Sequence, residues 1–177
     1  MSKVLTPLVT VNSTQSRYSH HLTRIASTSE RLLAVGDFFH SHSEINENGT
    51  TWISQPDYPF SRGLVYAAAV GFENSFYYFG GYSYADGLLS TIARFDEDWK
   101  LVGNLLSGRY MHGTVTLGQS FLTIGGMKDD NSGLIEECYL GRVGMECTKR
   151  APDMNMTYAL YPELFYISDD FCKNFYY

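Results

Sequence analysis

Basic clusters, long apolar runs and prolines are all scarce in this sequence of 177 residues. The 13 Lys and Arg face 19 Asp and Glu and form no basic run, which argues against nucleic-acid binding because its affinity depends on clustered positive charge. No apolar stretch reaches the roughly 18 residues of a membrane helix, so no membrane span is expected. With 5 Pro, 16 Gly and 15% aromatic residues, the composition favours short strands and tight turns of a soluble all-β protein.

Catalytic and cofactor motifs are absent as well. The sequence contains no Gly-x-Ser-x-Gly elbow, phosphate-binding loop or dinucleotide fingerprint. Five histidines include the neighbours His20 and His21 and the alternate pair His40 and His42, but no segment supplies the three or four ligands of a metal site. The oxygen-rich stretch 128–133 lacks a Glu at the spacing of a calcium loop. We therefore predict a noncatalytic chain with no metal and no cofactor.

One short pattern recurs along the chain with a period near 45 residues. The apolar run 76–79 ends at Gly80 and Gly81, and the run 121–124 ends at Gly125 and Gly126, 45 residues later. The same pattern occurs 44 residues before the first run, as Leu32 to Val35 followed by Gly36 and Asp37, and again as Leu164 to Ile167 followed by Ser168 and Asp169. Such a period predicts a repeat protein in which each glycine pair ends a buried strand.

Other residues keep the same spacing. Arginines precede the first glycine of each pair by 16 to 19 residues, and tryptophans follow it by 16 or 19; they are Arg17, Arg62, Arg109, Trp52 and Trp99. An arginine, a His-Gly pair, an apolar strand, Gly-Gly and a tryptophan together resemble the kelch repeat family. The resemblance is most specific over residues 62–126 and covers roughly residues 17–168. The third repeat has no tryptophan, and Met145 or Cys147 lies in that neighbourhood.

This resemblance implies kelch-like β-propeller blades of four antiparallel strands. We divide the single repeat domain 1–177 into a partial blade (1–16), repeats at about 17–61, 62–108 and 109–153, and a partial repeat (154–177). About three and a half repeats fall short of the roughly four to eight blades of a closed propeller. We expect an unclosed ring, completed by missing blades of a longer protein or by self-association, with a truncated product as a further alternative.

Turn residues predict how each repeat is built. The strands 64–70 and 76–79 flank a predicted loop 71–75, and Gly118-Gln119 suits a type II′ turn in a hairpin of the third repeat. Asn48-Gly49 predicts a tight turn before Trp52, and the recurring Trp99 is expected to pack between neighbouring units. Three connections vary while the strands around them repeat; these candidate surface loops are 38–48, 82–88 and 127–133.

The cysteines and glycosylation sequons bear on the compartment. A hairpin centred on Arg142 and Val143 would place Cys138 opposite Cys147, where a disulfide can form. Asn-x-Ser/Thr sequons occur at Asn12, Asn48 and Asn155. A disulfide and glycosylation both favour a secretory or extracellular location. Free cysteines in a cytosolic protein remain the alternative, because Cys172 is left over and no signal peptide is recognised.

The resemblance implies a noncatalytic module that binds a protein or another ligand through its inter-strand loops. The alternative from another class is a kelch-type propeller enzyme acting on sugars or related small molecules. No Cys-Tyr-His constellation of a copper oxidase can be placed in the sequence by motif, so we expect a binding module.

Overall fold

The computed structural model describes residues 24–27, 31–35, 43–46, 51–128, 135–150, 160 and 162. These residues form fourteen strands and no helix, which confirms the all-β prediction. No membrane-crossing helix is found among them. The strands are β1 (Arg24–Ser27), β2 (Leu32–Val35), β3 (Ser43–Asn46), β4 (Ile53–Gln55), β5 (Ala68–Phe72), β6 (Ser75–Phe79), β7 (Tyr82–Ser83), β8 (Gly87–Leu88), β9 (Thr91–Phe95), β10 (Trp99–Asn104), β11 (Gly113–Leu117), β12 (Ser120–Ile124), β13 (Ile135–Leu140) and β14 (Met145–Lys149).

Twelve of the fourteen strands form three antiparallel units of four strands each, and β7 and β8 form a separate two-stranded hairpin. Unit 1 is β1-β2-β3-β4, unit 2 is β5-β6-β9-β10 and unit 3 is β11-β12-β13-β14, with neighbours in this order hydrogen-bonded. We call the first strand of each unit inner and the last strand outer. A single parallel pair, Gly103 opposite Met145, joins β10 and β14, the outer strands of units 2 and 3. The inner strand β5 contacts β1 on one side and β11 on the other. The units therefore stack face to face in chain order, as propeller blades do.

Aromatic side chains fill the junction between units 1 and 2. Its core joins Leu33, Val35 and Ile45 of unit 1 to a cluster of unit 2 that includes Phe76 and Tyr78. The Tyr78 hydroxyl donates a 2.8 Å hydrogen bond to the Leu33 carbonyl oxygen, which satisfies a buried polar group across the junction. Neither unit could cover this apolar face alone.

Phe121 is the central aromatic residue of the junction between units 2 and 3. Its ring contacts Phe72, Tyr77 and Phe79 with centroid separations of 5.3, 4.8 and 5.4 Å. Phe121, Tyr77 and Phe79 are all buried, so unit 3 covers the face of unit 2 that points away from unit 1. Burial of these aromatic rings contributes strongly to the free energy that holds units 2 and 3 together.

The hairpins follow the predicted pattern, with corrections in repeat two. The Gly118-Gln119 turn is present, and Gly118 has a φ of 61°, as a type II′ turn requires. The predicted loop 71–75 is instead a two-residue turn at Glu73 and Asn74, because β5 and β6 continue through its other residues. The predicted strand 64–70 begins only at Ala68, since Tyr66 has a φ of 57° that breaks the extended chain.

Two predicted surface loops also contain strands. The range 38–48 includes β3, which pairs with β2 and β4, and the other residues of this range lie outside the part of the chain that the structure describes. The range 82–88 forms a small hairpin in which Tyr82 pairs with Leu88 and Ser83 with Gly87. Both ranges do follow the inner hairpin of their unit, as the repeat pattern indicated.

Candidate binding surface

Gly80 and Gly81 follow β6 and lie against the chain segment that leads into unit 3. Gly80 and Gly81 have positive φ values, and the Gly81 amide donates a 2.8 Å hydrogen bond to the carbonyl oxygen of Arg109, at the entrance to unit 3. A Cβ on Gly80 would lie 2.6 Å from the same oxygen. Glycine is therefore required for close backbone approach, which is an architectural role.

Arg109 is fully buried, whereas Arg62 is exposed, so their predicted equivalence is wrong. The bridges Val65 to Tyr82 and Tyr110 to Met127 align the two repeats, and this alignment places Leu64 at the position of Arg109. The predicted alignment failed because the spacing of the two arginines from their glycines differs by two residues.

A buried ion pair explains the arginine of unit 3. Arg109 donates a 2.5 Å hydrogen bond to Glu136 and a 3.1 Å bond to the Gly125 carbonyl oxygen, and Glu136 also accepts from the Leu106 amide at 2.7 Å. Glu136 pairs with Thr123, and Ala93 pairs with Tyr78. Thr123 and Tyr78 each lie two residues before the first glycine of their pair, so Ala93 takes the position of Glu136 in unit 2. Leu64 and Ala93 thus replace Arg109 and Glu136, and these buried charges are structural.

Trp99 lies at the junction with unit 1, as expected for the recurring tryptophan. Its side chain is 7% exposed, its ring contacts Tyr58, Tyr78 and Phe95, and its indole N–H donates a 2.9 Å hydrogen bond to the Pro56 carbonyl oxygen. Trp52 is half-buried and immediately precedes β4. Both tryptophans therefore lie at the start of an outer strand.

A disulfide occupies the corresponding position in unit 3. Cys138 and Cys147 are directly opposite each other on β13 and β14 and are joined by an S–S bond. In unit 2 the same cross-strand position holds Phe95 and Trp99, whose rings are 5.0 Å apart. Cys147 rather than Met145 therefore stands at the tryptophan position, and a covalent bond replaces an aromatic contact.

One cluster has the composition of a metal site. Ligand atoms of Glu136, Cys138 and Cys147 lie within 4.8 Å of one another. Both sulfurs are bonded to each other, and both carboxylate oxygens of Glu136 already accept hydrogen bonds. This cluster therefore has no ligand available for an ion while the disulfide is formed.

Several predicted site residues lie outside the part of the chain that the structure describes. They are Arg17, Gly36, Asn12, Asn48 and Asn155; His20, His21, His40 and His42, for which no metal site was predicted, lie outside it too. His112 is buried and lies against the glycine pairs: its ring is 3.0 Å from the place of a Cβ on Gly80, and its Cβ is 2.7 Å from that on Gly126. The side chain of His112 thus packs against the chain at the junction between repeats.

Four tyrosines meet where the loops of units 2 and 3 come together; we call Tyr66, Tyr82, Tyr84 and Tyr110 the tyrosine quartet. Tyr66 and Tyr110 lie in the connections that enter β5 and β11, and Tyr82 and Tyr84 lie in the β7–β8 hairpin. Ring centroids are 5.3 Å apart for Tyr82 and Tyr84, 5.7 Å for Tyr82 and Tyr110, and 6.0 Å for Tyr66 and Tyr110.

Backbone contacts hold the quartet in place. The Val65 and Tyr82 amides and carbonyls exchange hydrogen bonds of 3.0 and 2.8 Å, and the Met111 amide donates a 3.0 Å bond to the Tyr66 carbonyl oxygen. Tyr66 and Met111 have φ values of 57° and 58° at equivalent positions of the two repeats. Such backbone conformations are costly for residues other than glycine and are often found at functional sites.

The quartet is accessible. Tyr84 is 56% exposed, and the other three rings are half-buried. Partial desolvation, together with the neighbouring phenols of Tyr66 and Tyr82, raises the pKa of Tyr84, so its hydroxyl remains protonated at neutral pH. Sequence reasoning included Tyr82 and Tyr84 in a candidate loop but missed Tyr66 and Tyr110, which no motif marks.

Comparison with known proteins supports the fold. No model of a known protein family matches the sequence, and no curated protein matches it. A solved structure described as "Structure of YjhT" matches 71% of this chain with a TM-score of 0.58 at 12% sequence identity. The match spans 44% of the length of that chain. At this identity the likeness shows a shared fold and nothing further.

Proposed function

We propose that this chain is a noncatalytic binding module of a kelch-like propeller, which presents inter-strand loops to a protein partner. The tyrosine quartet is the observation that carries the proposal. It gathers side chains from three separate connections onto one accessible surface beside the glycine turns. Tyrosine is enriched at the centres of protein interfaces because it combines a large apolar ring with a polar hydroxyl.

The proposal includes completion of the ring by further blades or by a second copy. In unit 2, Tyr77, Phe79 and Ile92 face unit 3 and are buried. In unit 3 the equivalent positions are Leu122, Ile124 and Ile135, which are only half-buried. The far face of unit 3 thus repeats the apolar positions of a blade junction, while no described strand packs against it.

The disulfide favours a secretory or extracellular protein for this module. Disulfides persist in oxidising compartments and are rare in the cytosol. Cys138 is fully buried and Cys147 half-buried, so the bond lies within the junction of units 2 and 3. Peptide mapping of native material should find this pair oxidised and Asn48 glycosylated. Alkylation of both thiols without reduction, together with unmodified Asn12, Asn48 and Asn155, would favour the cytosolic alternative.

Differential capture tests the binding surface. We compare proteins cross-linked by the wild-type chain and by a Tyr82→Ser/Tyr84→Ser variant in extracts of native origin, with identification by mass spectrometry. Tyr139→Ser is the matched control, because Tyr139 is 48% exposed on β13 and does not belong to the quartet. We expect partners that the double variant loses and the control retains. Identical capture by all three proteins would refute a binding role for the quartet.

A further inference from the structure

We propose that the tyrosine quartet binds an organic cation, an alkylammonium group such as a methylated lysine side chain. This inference rests on the proposed function, because it names the chemistry that the same surface recognises. A cation is attracted to the negative face of an aromatic ring, and several rings around one point form a site for alkylated ammonium groups.

The arrangement of the rings supports a compact ligand. Contacts run from Tyr84 to Tyr82, from Tyr82 to Tyr110 and from Tyr110 to Tyr66. The four rings therefore form a row in which each ring contacts the next, from Tyr84 to Tyr66. Because adjacent centroids are at most 6.0 Å apart, a cation placed over two neighbouring rings lies within about 6 Å of both.

The charges near the quartet are of both signs. The chain carries a formal charge of −6, which favours the approach of positive ligands. On the hairpin that bears Tyr82 and Tyr84, Asp86 is exposed, and the Ser83 hydroxyl has two alternative acceptors, the Arg62 carbonyl oxygen at 2.7 Å and Asp86 Oδ2 at 3.0 Å. Arg62 is the competing positive charge on the neighbouring chain segment. Replacing it by Gln should therefore strengthen cation binding, and Asp86→Asn should weaken it.

The backbone around the quartet is preorganised. Ser83 accepts hydrogen bonds of 3.2 Å from the Ala85 and Asp86 amides, which fixes the turn that carries Tyr84. Tyr66 is held by the Met111 amide, as described above. A preformed site loses less conformational entropy on binding, so even a small cation can be recognised.

The test compares cations with neutral groups of the same shape. We titrate the full chain with choline and with 3,3-dimethyl-1-butanol, its uncharged isostere, and follow tyrosine resonances by NMR. A second pair of probes is a peptide with trimethyllysine and the same peptide with unmodified lysine. We expect choline to bind more tightly than its isostere by roughly ten-fold, in line with cation–π energies in a partly desolvated site. Preference for the trimethyllysine peptide over choline would assign the cation to a protein partner, and the reverse order to a free small molecule.

Variants locate the cation. Tyr84→Ala should lose roughly ten-fold in choline affinity, Tyr84→Phe should retain most of it because the ring remains, and the control Tyr139→Ala should have no effect. Equal binding of choline and its isostere, or no effect of Tyr84→Ala, would overturn the inference. If partner capture still depends on the quartet in that case, the proposed function stands alone. If capture is also unaffected, both fall.

Discussion

Removing the disulfide should lower the free energy of unfolding by a calculable amount. Cys138 and Cys147 are 9 residues apart, and closing a loop of that size lowers the entropy of the unfolded chain by an amount worth about 2.6 kcal/mol at 25 °C. This corresponds to roughly an 80-fold change in the unfolding equilibrium. The change is a large part of the total stability of a small domain.

The measurement is urea unfolding, followed by tyrosine and tryptophan fluorescence, with and without dithiothreitol. A Cys172→Ser background avoids thiol exchange. In that background we expect the reductant to lower the urea midpoint. The Cys138→Ser/Cys147→Ser variant should have this lower midpoint already, and the reductant should not change it. An unchanged midpoint on complete reduction, verified by mass spectrometry, would refute the reasoning. An equal shift in the double variant would show that the reductant acts elsewhere.

Three further predictions concern Trp99, the ion pair of Arg109 and Glu136, and Asp96, which follows β9. Trp99→Ala should cost about 3 to 5 kcal/mol, judged by the urea midpoint, because it removes a buried ring; an unchanged midpoint would contradict this packing. Arg109→Leu alone should lower the free energy of unfolding by about 3 to 5 kcal/mol, because it leaves Glu136 buried and unpaired. Adding Glu136→Ala should recover most of the loss. A double variant as unstable as Arg109→Leu would show that the cost does not come from the unpaired charge. Partial burial raises the pKa of Asp96, but hydrogen bonds from Arg94, the Glu97 amide and Lys100 outweigh it and hold the pKa well below 3.8. The ionised Asp96 carboxylate therefore stabilises the fold fully above pH 3.8, and this contribution is lost as the pH falls below that value. The free energy of unfolding of Asp96→Asn should thus fall less steeply with decreasing pH than that of the wild type.

The repeat pattern predicts the strand order because its signals are local. Glycine pairs mark where β6 and β12 end, and the alternation around Arg142 and Val143 places Cys138 opposite Cys147. Each of these inferences needs only residues that are close in sequence or one hairpin apart. A disulfide between adjacent strands belongs to the same class of prediction.

The errors have a different origin. Arg109 and Leu64 occupy the same position just before units 3 and 2, and each goes with a residue 27 to 29 positions later, Glu136 or Ala93. No local signal in the sequence links the two members of such a pair. The positive φ at Tyr66, which shortens β5, likewise depends on hydrogen bonds with another unit. The quartet requires three connections to meet in space. Long-range contacts of this kind are not readable from spacing.

Unit 2 and unit 3 differ in their buried pair, Leu64 with Ala93 against Arg109 with Glu136. This difference constrains how the gene can recombine with itself. An unequal crossover between the two coding repeats, at a point inside the pair, would produce a hybrid blade with either Arg opposite Ala or Leu opposite Glu. Each hybrid would bury a charge without its counterion and would fold poorly. Only crossovers outside the pair leave it matched, so Arg109 and Glu136 have to be exchanged together.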